Sequence, residues 1–446
     1  MLNVFDSLQA GISRIHPCRD IGRVIEVTRG TLLISGFDRA ALGDRVLVEN
    51  GDTPLGGEII RLSRDGCLIL PEDDPEGLSA GARVELIGSA GIAPSEDWLG
   101  RIIDPMGRPL DGRPILPGPV HRPTNCLPPA AAERRPLGPR LSTGIAVFDT
   151  LLPLVRGQRI GLFAGSGVGK STLLAKFARG VAADIVVIGL VGERGRELRD
   201  FTERVLGPAG MAHSVVVTAT SDQSPLMRRR CALTAMSVAE HFRDQGHNVL
   251  LLIDSITRFA EAYREVAAAA SEESSLRGYP PSTSHAIMSL AERAGPGTAD
   301  TGDITAVFSV LGAGSDMDEP VADILRGTID GHVVLDRKIA ERGRYPAIDL
   351  LRSVSRALPE AASDEENKLI TDARRTLGAW DRAEMMIQAG LYVTGTDAEV
   401  DRAIRLWPAL DAFLAEDAPP GGPEASFRRL GECLGNQPNV LRSPPV

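Results

Sequence analysis

Ala164-Gly165-Ser166-Gly167-Val168-Gly169-Lys170-Ser171 decides the fold, because it stands directly after the apolar run Ile160-Gly161-Leu162-Phe163 and opens a stretch with helical spacing. A loop of this composition turns successive backbone N–H groups and a helix N-terminus toward a chain of phosphates. In such a loop Lys170 reaches the terminal phosphates and the Ser171 hydroxyl binds Mg2+. Gly165, Ser166, Gly167, Val168, Gly169, Lys170, Ser171 and Thr172 are the candidate nucleotide-binding residues. The usual pattern starts with glycine, whereas this chain has Ala164, which restricts the backbone while Gly165, Gly167 and Gly169 still permit close approach. A glycine-rich turn with no ligand is the alternative, and the Gly-Lys-Ser run between a strand and a helix speaks against it.

The residues around this loop supply further chemistry. The apolar run Val249–Ile253 delivers Asp254 at its end. Beside a phosphate loop such a carboxylate suits the hydration shell of Mg2+; alone it would serve equally well as a helix cap. The run Ile185–Val191 ends in Gly192-Glu193-Arg194-Gly195-Arg196-Glu197. There Glu193 can polarise a water attacking the terminal phosphate and Arg194 can neutralise charge, although an isolated cluster of this kind would read as an exposed helix start. Helices are expected from Gly169 to about Val181, after Gly195, from Pro225 to Gln245 and through Val266, with further strands in 304–312 and 331–337. Apolar strands alternating with helices predict a parallel α/β sheet covered on both faces.

The flanking text is different. Six short β-type runs between Gly22 and about Leu86, separated by turn residues, predict a small closed barrel. A connector rich in proline and glycine, residues 104–129, follows and reads as largely irregular. After Pro359 the strand-like runs stop, and residues 366–390 and 397–416 read as helices. Residues 416–427 and the end of the chain read as loosely ordered at their Pro/Gly-rich parts. Val4, Leu8, Ile12 and Ile15 form a helical face near the start, suited to docking. The expected division is a docking helix over 1–20, a barrel over 21–90, a phosphate-loop domain over 91–360 and a helical domain over 361–446.

Composition narrows the classes. The 446 residues suit about three domains at roughly 150 residues each. With 49 basic against 59 acidic residues the net charge is −10, which argues against a protein that coats nucleic acid or an anionic membrane. The five cysteines are scattered without a CxxC pair, fitting neither a disulfide framework nor a zinc site and pointing to a reducing, cytoplasmic setting. No apolar run approaches the ~20 residues that span a bilayer.

The motifs AGSGVGKS (164–171), VGERGRE (191–197), LLLIDSITRFAEAYRE (250–265), RGYPPS (277–282) and DEPVADILRGTIDGHVVLDRKIAERGRYPAIDLLRSVSR (318–356) together carry a resemblance. They resemble the hexameric rotary-type ATPases related to the catalytic subunit of ATP synthase and, more narrowly, the flagellum-specific ATPases of the type III export apparatus. The likeness runs from about Gly22 to Leu414. It implies an α/β fold with an N-terminal small β-barrel, a central RecA-like parallel sheet with the phosphate loop, and a C-terminal helical domain. Position by position, it implies that Lys170 and Ser171 serve phosphate and Mg2+, that Asp254 is the second Mg2+-associated acid, and that Glu193 is the general base. Arg194 and Arg258 match active-site arginines, and Tyr345 matches the aromatic residue packed on adenine, a role its flat face suits. Arg356 matches the arginine that a neighbouring subunit inserts at the γ-phosphate, which would make one chain an incomplete enzyme.

The resemblance further implies a homohexamer, cytoplasmic and peripheral at the inner face of the cell membrane. Its implied partners are a negative regulator bound through the N-terminus, a coiled-coil stalk protein, the export gate, and export substrates with their chaperones. Two departures stand out: TSHAIMSLAERAG after RGYPPS replaces a more apolar continuation near the ring pore, and the tail after FLAE is acidic and rich in proline and glycine. Three other classes of protein share parts of this pattern. An ATP synthase catalytic subunit would carry an acidic rotor-engaging loop in its helical domain, whereas SDEEN (363–367) lies too early. A virulence-type secretion ATPase shares the mechanism. A ring RNA translocase would need stacking aromatics in its barrel, yet residues 21–90 hold only Phe37, and Arg228-Arg229-Arg230 reads as a solvated or interface face of a helix.

Overall fold

Alternating apolar residues in the first third of the chain have one way to bury their inner faces without leaving an open edge, which is to close on themselves. In the computed structural model, which describes residues 9, 12, 19–28, 30–275, 278–312 and 319–435, they do so. Strands β1 (Ile21–Val27), β2 (Leu32–Ser35), β3 (Asp44–Val48), β4 (Leu55–Ser63), β5 (Gly66–Pro71) and β6 (Arg83–Ser89) form an antiparallel barrel in the order β1-β2-β5-β4-β3-β6. Val24, Leu32, Ile34, Val46, Val48, Ile59, Ile69 and Val84 fill its interior. The expected docking helix over 1–20 lies almost entirely outside the described residues, as does everything from residue 436 onward.

Beyond the barrel, β7 (Gly91–Ile92) pairs with β9 (Arg122–Pro123), and β8 (Arg101–Ile103) joins the main sheet. That sheet continues with β10 (Arg159–Ala164), β11 (Ile185–Glu193), β12 (Ser214–Thr220), β13 (Val249–Asp254), β14 (Ile304–Leu311), β15 (Gly331–Leu335) and β16 (Ile348–Ser355). The spatial order is β16-β15-β10-β14-β13-β11-β12-β8, parallel except for β16, which returns antiparallel to β15. Successive residues of β11 face opposite layers: Val186 and Ile188 meet Leu162, Phe177 and Leu252, while Ile185 and Val187 meet Phe242, Phe259 and Phe308. This is why the strand text is continuously apolar.

The covering helices are α1 (Lys170–Gly180), α2 (Pro225–Asp244), α3 (Ile256–Ala269), α4 (Pro281–Arg293) and α5 (Pro320–Thr328). The last segment forms α6 (Asp364–Gln388), α7 (Ala398–Phe413) and α8 (Gly422–Cys433). A capping box between Ser363 and Glu366 starts α6, so the SDEEN run acts as a helix start. Residues 416–427, expected to be loosely ordered, are ordered instead. Gly421 supplies a left-handed cap and a proline sits in the first turn of α8, so these residues initiate a helix rather than prevent one. Phe427 and Leu430 are buried in the same core as Phe148 and Phe177.

The Arg228-Arg229-Arg230 run is an internal interface. Arg229 and Arg230 at the start of α2 both hydrogen-bond Glu58 on barrel strand β4, and Arg228 pairs with Glu265 at 2.7 Å. Arg45 of the barrel completes the group by holding Glu72 at 3.0 Å. Burial pushes the Glu58 carboxyl upward, but the two guanidinium groups outweigh it and hold it below the ordinary glutamate value. The contact is therefore fully present above that ordinary value and is lost only as pH falls through the lower, folded one. Removing Glu58 leaves Arg229 without its carboxylate and Arg230 with only Glu72, at 3.9 Å. Glu58→Ala is expected to cost about 3 to 5 kcal/mol of stability, read by denaturant unfolding at neutral pH; an unchanged midpoint would remove this contact from the barrel's anchorage.

Candidate active site at the carboxyl edge of the sheet

The register of the parallel strands brings the functional side chains to one edge. Ala164 pairs with Leu311 of β14 and with Leu335 of β15, and Ile253 pairs with Phe308, so the phosphate loop, Asp254 and Ser309 emerge together. Ala164 is the last residue of β10, where extended backbone suits any side chain, so its departure from glycine costs nothing. Glycine is required further on: Gly167 and Gly169 have φ of 77° and 87°, the left-handed region. Val168 is buried and anchors the loop, while Ser166 and Gly167 are exposed. Ser171 and Thr172 lie exposed in the first turn of α1, close to that exposed loop.

Lys170 and Asp254 are both buried and in direct contact. Ser309 donates a hydrogen bond to the same Asp254 oxygen at 2.6 Å. Sequence reading passed over Ser309; the available signal was a lone hydroxyl in the apolar strand ITAVFSVL. Glu193 ends β11 on the same edge. Its carboxyl is raised to about 7, first by burial, then by a hydrogen bond with Glu197 and by the negative charge of Asp254, with Lys170 pulling the other way. A carboxylate tuned near neutrality can take a proton at physiological pH.

The remaining candidates divide. Arg258 on α3 pairs with Glu261 at 2.9 Å, lies against Gly192 and senses the charge of Glu193. Tyr345 is half exposed, and its ring covers Gly169, where an added Cβ would stand 3.0 Å from Cδ1. Arg194 extends into solvent, its side chain 81% exposed and 3.7 Å from Glu197. Arg356 is elsewhere: it follows β16, and its N–H bonds to the carbonyl of Asp330, toward the amino end of β15. From Asp330 to Leu335, the level of the phosphate loop, is about 16 Å of strand at ~3.3 Å per residue. The chain's own site therefore gathers Gly165–Thr172, Asp254, Glu193, Arg258 and Tyr345 without Arg356.

No group of three or more His, Cys, Asp or Glu side chains able to hold a metal occurs among the described residues. One hydroxyl and one carboxylate near the phosphate loop, Ser171 and Asp254, suit Mg2+, which keeps most of its waters and takes substrate phosphate oxygens. Among the described residues no helix is long and apolar enough to cross a membrane.

Comparison with known proteins finds relatives over nearly the whole chain. The model of the ATP synthase alpha/beta family, nucleotide-binding domain, matches residues 144–355, and that of the T3SS EscN ATPase C-terminal domain matches residues 362–419. The flagellum-specific ATP synthase of Caulobacter vibrioides is 43% identical over 443 residues, covering 97% of this chain and 99% of the relative. The type 3 secretion system ATPase of Xanthomonas euvesicatoria is 39% identical over 413 residues, 92% of this chain and 93% of the relative. Among solved structures, the assembled ATPase EscN of the enteropathogenic E. coli type III secretion system superposes with a TM-score of 0.85 at 34% identity, covering 93% of this chain and all of that one; its complex with the central stalk EscO gives 0.84. Fold and site thus define a phosphate-loop ATPase of the ATP synthase alpha/beta class. Within that class the chain belongs to the family of flagellum-specific and type III secretion ATPases.

The loop geometry makes one substitution decisive. Gly169→Ala forces a side chain into a left-handed backbone at a cost of roughly 1 kcal/mol and drives its Cβ against the Tyr345 ring. The variant is expected to fold, by circular dichroism, yet to bind ATP at least about tenfold more weakly by calorimetry. Wild-type affinity would mean that Gly169 does not shape the nucleotide site.

Proposed function

We propose that this chain is the ATPase of a flagellar type III export apparatus and that it works as a homohexameric ring. The observation that carries the catalytic reading is the Glu193 carboxyl, raised to about 7 at the edge where Lys170 and Asp254 meet. Backbone N–H groups of Gly165–Gly169 and the Lys170 ammonium hold the phosphates, and Tyr345 packs on the base. Glu193 orients the attacking water and accepts its proton. Arg258 balances the charge that develops on the terminal phosphate, and Arg194, exposed in this chain, would have to turn inward to share that role. Held by Ser171 and Asp254, Mg2+ would neutralise charge on the phosphate oxygens. Arg356 serves the neighbour's site, a role supported by its separation from its own phosphate loop.

The barrel over 21–90 packs subunits into the ring, the region 91–360 hydrolyses ATP, and the helices of 361–446 face the export gate, its substrates and their chaperones. Exposed Met385, Leu391 and Val393 at the tip joining α6 to α7 suit an apolar partner, and the EscN–EscO complex supports a central stalk in that assembly. A negative regulator bound through residues 1–20 and a cytoplasmic position peripheral to the membrane complete the reading. The occupation of Arg229 and Arg230 by Glu58 speaks against a nucleic-acid track on α2. An injectisome ATPase is the second reading, favoured by the match of residues 362–419 to the EscN C-terminal domain.

Glu193→Gln is expected to bind ATP as wild type does while losing turnover by about two orders of magnitude or more, since an amide cannot accept the proton. In the wild type, kcat/KM should fall as pH drops through about 7, where Glu193 becomes protonated. In a strain lacking its flagellar export ATPase the wild-type gene should restore motility and the Gln variant should not. Near-normal turnover by the variant would remove Glu193 as the base, and absence of motility with the wild type would favour the injectisome reading.

A further inference from the structure

The segment that presents Tyr345 to the phosphate loop is tied to the C-terminal helices rather than to the sheet alone. A short helix (Arg337–Glu341) leads into Arg342-Gly343-Arg344-Tyr345, with Gly343 at φ 81° turning the chain. Arg342 donates to Glu384 of α6 at 2.7 Å. Arg344 pairs through Nε with Asp411 of α7 at 3.0 Å and donates through Nη2 to the carbonyl of Ile348 at 2.8 Å. Its Nη1 is buried without a partner among the described residues. α6 and α7 are locked to each other by Trp380 and Trp407, whose rings stack at 4.5 Å. Between this segment and the two helices lies a groove of about 260 Å³ lined by Arg342, Arg344, Asp349, Trp380, Trp407 and Asp411.

Such an arrangement has a mechanical consequence. A guanidinium buried at this depth needs its carboxylate, because the unpaired charge is costly there. Arg344 must therefore follow Asp411 wherever α7 moves, and Tyr345 is the next residue in the chain. We propose that Arg344, held between Asp411 and the Ile348 carbonyl, is a positioning residue for nucleotide binding that sets the Tyr345 ring against Gly169 and couples base binding to the placement of the C-terminal helices. This rests on the reading of Tyr345 as the residue that packs on the base. Two ion pairs carry it, Arg342 to Glu384 of α6 and Arg344 to Asp411 of α7, both within three residues of Tyr345; Asp349 adds negative charge near Arg344, but Asp411 is the carboxylate in contact with it among the described residues.

Steady-state ATP hydrolysis by the full-length protein tests it with four chains: wild type, Asp411→Asn, Tyr345→Ala and the double variant. Asp411→Asn keeps the shape and removes the charge. It is expected to raise the KM for ATP roughly tenfold while kcat stays within about twofold, the split that a displaced binding group produces. Tyr345→Ala should raise KM at least as much, and the double variant should be no worse than Tyr345→Ala, because the carboxylate acts through the ring. A merely structural role would lower kcat and thermal stability together and would add to the Tyr345→Ala effect. Should Asp411→Asn fail to fold, Arg344→Lys, which keeps the charge and loses the second contact, carries the same comparison. An unchanged KM in Tyr345→Ala overturns both the base-packing reading and the coupling. A raised KM in Tyr345→Ala with an unchanged KM in the Asp411 or Arg344 variant, or effects that multiply, overturns the coupling alone.

Discussion

One buried ammonium and one buried carboxylate hold the site together. Lys170 opens α1 and Asp254 ends β13, and neither would be tolerated at that depth without the other. Their contact fixes the first turn of α1 against β13 and requires β14 to stand between β10 and β13, where Ser309 can satisfy the same carboxylate. It also sets the field in which Glu193 sits: Asp254 pushes that carboxyl up and Lys170 pulls it down. On the proposed reading, a bound phosphate would give Lys170 a second anionic partner and change the balance at Glu193 with it. On that reading binding and base strength are linked through one ion pair.

The same logic extends outward. Glu58 does at the barrel what Asp254 does at the site, gathering two arginines of α2 and fixing the barrel to the catalytic core. Asp411 and Glu384 do it for the C-terminal helices. Each joint between regions adds ion pairs to apolar packing, and a charged pair gives orientation where apolar contact alone would allow sliding. The central strands of the sheet between these joints, β10, β11 and β13, are almost wholly apolar and buried.

The elements whose function is local were legible in the sequence. The phosphate loop announces itself because its glycines answer a backbone demand, φ of 77° at Gly167 and 87° at Gly169, that few other residues meet. Barrel strands were legible because a closed sheet with one wet face needs alternation. What escaped was set by distant partners. β8 and β16 are edge strands recruited by neighbours already in the sheet, and nothing in Arg101–Ile103 or Ile348–Ser355 declares a strand by itself. α8 was hidden by Gly421 and Pro423, which punctuate a loop and cap a helix equally well. Ser309 and Glu58 acquire their roles only from Asp254 and from the two arginines.

On the proposed reading one chain holds the nucleotide and the next supplies Arg356, which lies toward the far edge of its own sheet. Mixing Lys170→Ala subunits with Arg356→Ala subunits tests this most directly, because each is inactive for a different reason. Combined at equal concentration they form, at about one interface in four, an intact site from two defective chains. Two silent preparations and ATP hydrolysis on mixing are expected; Arg356→Ala subunits that hydrolyse ATP at the wild-type rate by themselves would rule the shared site out.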